Sequence, residues 1–535
     1  MLLPHVGVTS GESMESWDVV VIGSGIAALR SAIAASEAGA TVTVVESGGP
    51  SNAQSQTCPT GIAASISESD HIFHGKNTFS AGCDLSNGKV VEQRCSSALD
   101  HLNELERWGF NFQRNESGSP NPSESIGHSS PRVCTAGDST GRELVRTLEE
   151  QCMKRGIPRK YDLHTVSICV ENQRVRGIVV LDIQTGVITS IQAKAIILAT
   201  EGHSGLWNEE GGSGLGASLA LTAGAKLRGM EFVSWYPLCV PTSNYKLPFS
   251  LLSAGARIRK TNGDDVELTG TMTEAAVSLL GDDYILDARN IPHSQRDWFT
   301  TTKNVLDSRF GIDLWKDVVP IEPKPDFTIG GVAVDDQGRA LLAPDLWLTG
   351  LYAAGESAES GMHGADTIPG NRMLDNLIGG YKAGHSAAKW VETVGFSNQE
   401  FLDEMALISE AAIETLSRSE TGPSVGASVA TLRRLMNSNV GLERDAAMLS
   451  SCSLKIEEML HATVRISDES FVMNTELINA VKLQGMLTLA KTIVSTAEAR
   501  EESRGSHRRI DYPESAEKYS QSLVVDSAGI VTTLN

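Results

Sequence analysis

The chain has 535 residues, of which 41% are apolar and 21% charged, and this indicates a globular protein of two or three domains. Its formal net charge of −21, from 45 basic and 66 acidic residues, argues against nucleic acid or an anionic membrane surface as a partner. The eight cysteines are scattered, which is typical of a cytosolic chain with reduced thiols and predicts no iron–sulfur or zinc ligand set, hence no metal site.

The N-terminal segment has no sign of a targeting sequence. Residues 1–15 lack the basic region and apolar core of a secretory signal, and they predict a flexible tail. No stretch of the chain reaches the roughly 18 consecutive apolar residues that a membrane span needs. We therefore expect no direct membrane span.

The segment WDVVVIGSGIAALRSAIAASEAGATVTVVES (17–47) carries the strongest local pattern. A β-branched run over 18–22 predicts a buried strand, followed by a helix over about 26–38 and a second strand that ends at Glu46. The G-x-G-x-x-G/A spacing is met by Gly23, Gly25 and Ala28. Together these features predict a dinucleotide site, with phosphate at the helix N-terminus and ribose at Glu46; the alternative is a glycine-rich turn with a purely structural role.

Three later segments extend this pattern. Residues 174–193 alternate like a hairpin, and KAIILATEG (194–202) predicts a strand after it. GLYAAGES (350–357) predicts another strand, which ends at a glycine and an acid. Gly364 and Gly370 flank the loop before a helix that runs to about 388. Because no second dinucleotide fingerprint of this quality follows, the pattern favours bound FAD over NAD.

Four further segments give the chain a family resemblance: HLNELERWGFNF (101–112), AGDSTGRELVRTLEEQ (136–151), MHGADTIPGN (362–371) and EAREESRGSHRRIDYPE (498–514). The chain resembles the flavoprotein subunit of the fumarate reductase / succinate dehydrogenase family, which also includes L-aspartate oxidase. The matching stretches run from about residue 17 to 513.

The resemblance implies an α/β fold, in which a Rossmann-like FAD-binding domain is interrupted by an α+β capping domain and followed by a helical domain and a C-terminal arm. The implied bounds are 16–235 and 326–395 for the FAD-binding domain, 236–325 for the cap, 396–500 for the helical domain and 501–535 for the arm. The stripe of apolar residues within 479–501 is typical of a helix-bundle face.

The resemblance also implies a set of FAD contacts. They are Gly23, Gly25, Ala28, Glu46, Ser55, Gly61, Ala199, Thr200, Gly355, Glu356, Gly370, Asn371 and Leu374. The position of the family's flavin-linking histidine falls at Gln54, so we expect the FAD to be non-covalent. Glu201 interrupts the family's A-T-G-G motif.

The substrate half of the family pattern is altered in five separate segments. Tyr236 and Leu238 replace a histidine and a threonine, Ala254 replaces an acid, residues 266–283 contain no proton-shuttling arginine, Asp326 replaces a second histidine, and Thr367 replaces a carboxylate-binding arginine. A dianionic substrate buried without cationic partners is strongly disfavoured. The pattern therefore argues against simple succinate or fumarate turnover.

Four residues remain as catalytic candidates: Tyr236, Arg257, Asp326 and His363. Tyr236 and Asp326 are able to form a new acid/base pair, or else they merely fill the old pocket. His363 is either catalytic or a structural, flavin-contacting residue. Arg257 and Arg372 are two remaining cations able to bind an anion.

Three functional hypotheses follow. The first is an FAD-dependent oxidoreductase that transfers hydride at flavin N5 with a less anionic small-molecule substrate. The second is a succinate, fumarate or L-aspartate enzyme with a rearranged carboxylate clamp, and the third is a non-catalytic flavoprotein scaffold subunit of a larger assembly. The resemblance further implies an iron–sulfur subunit as partner and a cytoplasmic location, peripheral on the inner face of the membrane where partner subunits attach the chain.

Overall fold

The computed structural model describes residues 15–49, 53–67, 69–116 and 118–533, so the predicted tail lies almost entirely outside the described residues. The strands of this part of the chain are β1 (Ser16–Ile22), β2 (Val42–Val45), β3 (Ile62–Ala63), β4 (Val133–Cys134), β5 (Arg159–Lys160), β6 (Leu163–Glu171), β7 (Arg174–Asp182), β8 (Ile188–Leu198), β9 (Leu227–Arg228), β10 (Val233–Cys239), β11 (Arg257–Lys260), β12 (Asp265–Val266), β13 (Tyr284–Asp287), β14 (Val319–Thr328), β15 (Gly331–Ala333), β16 (Arg339–Ala343), β17 (Leu346–Ala353), β18 (Ala358–Glu359), β19 (Leu523–Val525) and β20 (Val531–Thr533).

The α-helices of the same part are α1 (Ile26–Glu37), α2 (Asp70–Ala81), α3 (Gly88–Arg107), α4 (Thr140–Lys154), α5 (Leu215–Thr222), α6 (Ser250–Ser253), α7 (Met272–Val277), α8 (His293–Arg296), α9 (Thr300–Val305), α10 (Asn371–Val391), α11 (Gln399–Ser417), α12 (Val425–Asn439), α13 (Ala446–His461) and α14 (Thr475–Ala499). Within these ranges no helix is both long and apolar enough to cross a bilayer.

The centre of the molecule is a mixed sheet with the order β16-β17-β7-β8-β1-β2-β5, and β6 pairs with β7. β1 pairs in parallel with β2 and β8, and its β-branched residues are buried on both faces, as a central parallel strand requires. The predicted hairpin over 174–193 is confirmed by the antiparallel pairing of β7 with β8. This arrangement confirms the predicted α/β class.

Helices α1 and α10 pack closely together on one face of this sheet. Glycines permit the close approach, because a Cβ atom added at Gly380 would lie 2.6 Å from the carbonyl oxygen of Ala27, and one at Gly384 would lie 2.1 Å from that of Ser31. The pairing fixes the starts of both helices near the same edge of the sheet, where ligands of open α/β sheets bind.

The cap is a five-stranded antiparallel sheet of order β10-β14-β13-β11-β12, with helices α6 to α9 and an apolar core of its own. The predicted cap boundaries at 236 and 325 fall inside β10 and β14, the two long strands through which the chain enters and leaves this sheet. The cap therefore continues directly from the strands that border the FAD-binding part.

Helices α11 to α14 follow, and α14 packs against α5 of the FAD-binding part. The C-terminal arm returns to that part, since β19 pairs with β9 and β20 extends the small sheet β18-β15-β9-β19-β20. The arm thus joins the last helix to the sheet that borders the cap.

Candidate active site

The turn between β1 and α1 brings the backbone close to the place where a phosphate would bind. Gly23 has a φ of +133°, and a Cβ atom added there would lie 2.1 Å from the carbonyl oxygen of Ala199, so a larger residue does not fit. Gly25 precedes α1 without a capping side chain. The amide of Ile26 donates to Oγ of Ser55 at 3.4 Å, and the amides that follow it, with the positive end of the helix dipole, are available to an anion.

Glu46 follows β2 and is 2% exposed. Its Oε1 accepts a hydrogen bond from Nε of Arg159 at 2.7 Å, whereas Oε2 has no hydrogen-bond partner among the described residues. Burial raises the pKa of Glu46, although Arg159 opposes the rise. A buried carboxylate oxygen without a donor is rare in folded proteins, and a ribose hydroxyl would supply that donor.

The turn and Glu46 line one cleft of about 360 Å³. Of the residues predicted to contact the cofactor, it is lined by Gly23, Gly25, Glu46, Ser55, Ala199, Thr200, Gly355 and Glu356. The glycines and open amides fit a diphosphate, and the unpaired oxygen of Glu46 fits a ribose. The residues present therefore fit the adenosine and diphosphate parts of FAD.

The other predicted contacts do not face this cleft; they are Ala28, Gly61, Gly370, Asn371 and Leu374. They pack the starts of α1 and α10 instead. Gly370 has a φ of +89°, and a Cβ atom added there would lie 2.7 Å from the nitrogen of Ala63. The amide of Asn371 bonds to His74 and Thr78. These residues position α10 beside the cofactor cleft.

A second cavity, of about 300 Å³, adjoins the cleft and shares Gln54, Glu210 and Gly211 with it. Its inner end is lined by Lys246, Asp326 and Arg372, and together with Glu356 of the adjoining cleft these residues form what we call the inner charge cluster. The Nη1 atom of Arg372 donates to both carboxylate oxygens of Asp326, at 3.2 and 3.3 Å. Arg372 also pairs with Glu356, and Lys246 pairs with Asp326.

The pKa values of the inner charge cluster follow from these contacts. Burial alone would raise the pKa of Asp326, but Lys246 and Arg372 outweigh burial and hold that pKa below its ordinary value. Burial opposes the charge of Lys246 as well, yet Asp326 raises the pKa of its ammonium group. Burial raises the pKa of Glu356, with Arg372 opposing. These contacts thus favour the charged forms of Lys246, Arg372 and Asp326, whereas burial of Glu356 works against its charge.

The outer end of the second cavity is different, because its cations reach solvent. Arg142 and Arg309 are exposed. Nη2 of Arg142 donates to Oγ of Ser139 at 2.9 Å, and Asp138 accepts from the backbone nitrogen of Thr302 at 2.6 Å. Asp138 and the exposed Glu210 line this end too, so its two arginines are accompanied by two carboxylates.

Of the four predicted catalytic residues, only Asp326 lines the second cavity. Tyr236 is fully buried in the cap core, its hydroxyl donates to the carbonyl oxygen of Leu247 at 2.7 Å, and burial raises its pKa well above the usual value. The predicted acid/base pair of Tyr236 and Asp326 therefore finds no support, since the hydroxyl is engaged elsewhere. Arg257 lies exposed on β11, 3.0 Å from Asp265, and does not reach the cavity.

His363 and Thr367 form a buried contact of their own. Nδ1 of His363 lies 3.0 Å from Oγ1 of Thr367, and Nε2 lies 3.5 Å from Oδ2 of Asp375. Neither residue lines the cleft or the second cavity. His363 is 5% exposed beside α10, and its Nε2 has no hydrogen-bond partner among the described residues, so its catalytic, structural or flavin-contacting role stays a prediction.

The position-by-position comparison with the family pattern missed three cations of the second cavity: Arg142, Lys246 and Arg309. Arg142 lies within the family-like segment 136–151, whereas Lys246 and Arg309 lie in the predicted cap, outside the quoted motifs. The sequence did indicate Arg372, because this arginine directly follows the flavin loop, at a position where the family motif has a serine. A charged residue at the start of a site-forming helix is visible in the sequence, whereas Lys246 reaches Asp326 only through the fold of the cap.

Two family models match the chain. The model for an FAD binding domain covers residues 18–373, and the model for the fumarate reductase flavoprotein C-terminal part covers residues 429–529. The chain belongs to the fumarate reductase / succinate dehydrogenase flavoprotein family. It is therefore a member of a family of FAD-dependent oxidoreductases, with FAD as its cofactor.

Named relatives agree over nearly the whole length. The chain is 28% identical to the fumarate reductase flavoprotein subunit of Haemophilus influenzae, over 93% of this chain and 89% of that protein. It is 26% identical to the succinate dehydrogenase flavoprotein subunit of Rickettsia bellii, over 96% and 94%. The quinol fumarate reductase structure of Escherichia coli superposes with a TM-score of 0.89 at 24% identity, over 97% and 96%, which establishes the shared fold.

Proposed function

We propose that the chain is an FAD-dependent oxidoreductase whose substrate is a small polar molecule with one net negative charge. The observation that carries this proposal is the inner charge cluster, in which Lys246 and Arg372 are already balanced by Asp326 and Glu356. A second carboxylate of a dianion would enter this partly buried region without a free counter-ion, which is costly.

The residues of the second cavity divide into two roles. Arg142 and Arg309 at the mouth attract and hold the single carboxylate, because exposed cations steer anions toward a cleft. Lys246 and Arg372 present N–H donors at the inner end and orient the polar group of the substrate. FAD, when bound, supplies acceptance or donation of a hydride. Asp326 fixes both donors in place through its ion pairs.

A second candidate is a dicarboxylate enzyme with a rearranged clamp. Its support is that four cations line the second cavity: Arg142, Lys246, Arg309 and Arg372. If Asp326 turns away when substrate binds, Lys246 and Arg372 become free to hold a second carboxylate. The two candidates therefore differ in the charge of the ligand that the inner end accepts.

Non-covalent FAD and the predicted partners belong to the same proposal. Gln54 stands at the linking position, and its amide donates to the carbonyl oxygen of Glu210 at 2.7 Å. The relatives are named flavoprotein subunits, which supports an iron–sulfur partner and peripheral membrane attachment through it. Denaturation that releases free FAD tests the first point, and co-purification from the native host tests the second.

The deciding experiment compares matched monoanions and dianions on the FAD-loaded full chain. Crotonate and fumarate share a double bond and differ by one carboxylate, and L-aspartate adds an ammonium group. We expect crotonate or L-aspartate to perturb the flavin absorbance at lower concentration than fumarate, and fumarate to leave chemically reduced flavin unoxidised under anaerobic conditions. Rapid reoxidation by fumarate would overturn the proposal and establish the rearranged clamp.

A further inference from the structure

The cofactor cleft has an unusual charge balance for a site that holds a diphosphate. Its charged lining residues are Glu46, Glu201, Glu209, Glu210, Glu356 and Lys482. Within the described part of the chain, Lys482 is therefore the one cation of this lining. The neighbouring residues 50–52, outside the described ranges, are Pro, Ser and Asn and carry no charge.

The carboxylates of the cleft differ in how far a neighbouring cation balances their charge. Glu46 and Glu356 have their own arginines, Arg159 and Arg372, so their charges are largely balanced. Glu201 accepts only from the hydroxyl of Ser213, at 3.3 Å, and Glu209 is mostly exposed, 3.8 Å from Arg433. The cleft consequently keeps a negative potential before any ligand arrives, and the dipole of α1 supplies only about half a positive charge against it.

Lys482 comes from α14 and not from the fold that carries the glycine turn. Lys482 lines the same cleft as Gly23, Gly25 and Ser47. The phosphates are expected at the glycine turn of this cleft, and the predicted helical domain brings the ammonium group of Lys482 to it.

We infer that Lys482 is the counter-charge of the FAD diphosphate and that the helical domain thereby contributes to cofactor binding. Without this residue the charged side chains among the described lining residues of the cleft are all carboxylates. A lysine acts here as a point charge, so arginine replaces it without loss, whereas a neutral residue of similar length does not. The inference does not depend on which substrate the second cavity takes.

The test measures FAD affinity of the apo full-length chain by quenching of flavin fluorescence, at several salt concentrations. We expect Lys482→Gln to raise the Kd for FAD about tenfold and to bind with a weaker salt dependence than the wild type, since one screened attraction is gone. Lys482→Arg should keep the wild-type Kd. Lys491→Gln is the matched control, because it removes the same charge from the same helix at a position paired with Glu457 and outside the cleft.

An unchanged Kd and salt dependence in Lys482→Gln would overturn the inference. An equal loss in Lys491→Gln would overturn it too, since the effect would then be one of net charge alone. Thermal unfolding of the apo forms shows whether each variant is folded, so that a loss of FAD affinity is not mistaken for misfolding. If Lys482→Gln does not fold, the Kd and salt dependence of Lys482→Arg are the measurements that remain. This inference and the substrate proposal are tested separately. In Lys482→Gln we expect weaker FAD binding, whereas the fraction that still holds FAD should prefer crotonate over fumarate as the wild type does.

Discussion

At the scale of single residues, Asp326 sets the charge of the substrate cavity. The family pattern has a histidine at this position, and here a carboxylate pairs with both inner cations. Replacing it with Asn keeps the shape and removes one negative charge. We expect Asp326→Asn to lower the Kd for malonate, a dianion, about tenfold, because the inner charge cluster then carries one net positive charge. Titration of the flavin absorbance with malonate and with acetate measures this.

The same substitution leaves Lys246 and Arg372 partly unpaired, so the thermal midpoint of the variant should fall. Glu322→Gln is the matched control, since it removes a charge from the same strand, β14, where Glu322 pairs with Lys324 away from the cavity. Malonate affinity that is the same in Asp326→Asn and in the wild type would show that Asp326 does not govern substrate charge.

At the scale of elements, the start of α10 is contacted by two histidines, the buried His74 and the half-buried His128. Nε2 of His74 lies 2.8 Å from Oδ1 of Asn371, and Nε2 of His128 lies 2.8 Å from the carbonyl oxygen of Pro369. Burial lowers the pKa of His74 to about 4 and that of His128 to about 3. Both imidazoles are therefore neutral in the folded protein and use Nε2–H as a donor.

This pair predicts a loss of stability in mild acid. An unfolded histidine has a pKa near 6.5, so between pH 6.5 and about 4 the unfolded chain binds protons that the folded chain does not. The stability is fully present above pH 6.5 and decreases as the pH falls, by up to about 1.4 kcal/mol per pH unit for each histidine. Urea unfolding from pH 7 to pH 4.5 measures the slope.

His128→Gln keeps an N–H donor for Pro369 and removes the titrating group, so its slope should be flatter than that of the wild type. His461→Gln is the control, because His461 is largely exposed beside Glu457. A wild-type slope in the first variant would contradict the assignment of a neutral imidazole to His128.

The elements also show which features of the fold could be predicted from the sequence alone. The β1–α1–β2 unit was predictable because its signals are local: a β-branched run, two glycines with required geometry, and a terminal acid. The same holds for the β7–β8 hairpin, with its alternating apolar residues. These features depend on neighbours in the sequence, so the cofactor cleft was largely accessible without a structure.

The second cavity was not accessible in the same way. Lys246 and Asp326 are 80 residues apart and meet only because the cap strands return the chain to the start of α10. The family motifs pointed to Asp326, which lines the second cavity, and to Arg257, which lies on the exposed hairpin of β11 and β12. Tertiary placement of charges, which no local pattern encodes, decided these cases.

At the scale of the whole molecule, Arg500 joins the helical domain, the C-terminal arm and the FAD-binding part. It is fully buried, and its guanidinium bonds to Glu231 at 2.7 Å and Glu502 at 2.8 Å. It also donates to the carbonyl oxygens of Tyr519 and Gln521, both at 3.0 Å. Arg500, in the motif that begins at residue 498, thus connects three parts of the protein, and its charge is balanced by buried carboxylates.

Because one side chain satisfies partners on three parts of the chain, its removal should loosen the arm before the rest unfolds. Arg500→Met keeps much of the volume but leaves Glu231 without its cation, a loss on the order of 3 kcal/mol for a buried pair. Arg500→Lys should rescue little, since an ammonium group cannot reach four acceptors in a fixed plane. We expect limited proteolysis to cut within 501–533 much faster in both variants.

Lys518→Gln, which removes an exposed pair with Glu501, should be cut at the wild-type rate. Equal cleavage rates in Arg500→Met and the wild type would mean that the β19–β9 pairing alone secures the arm.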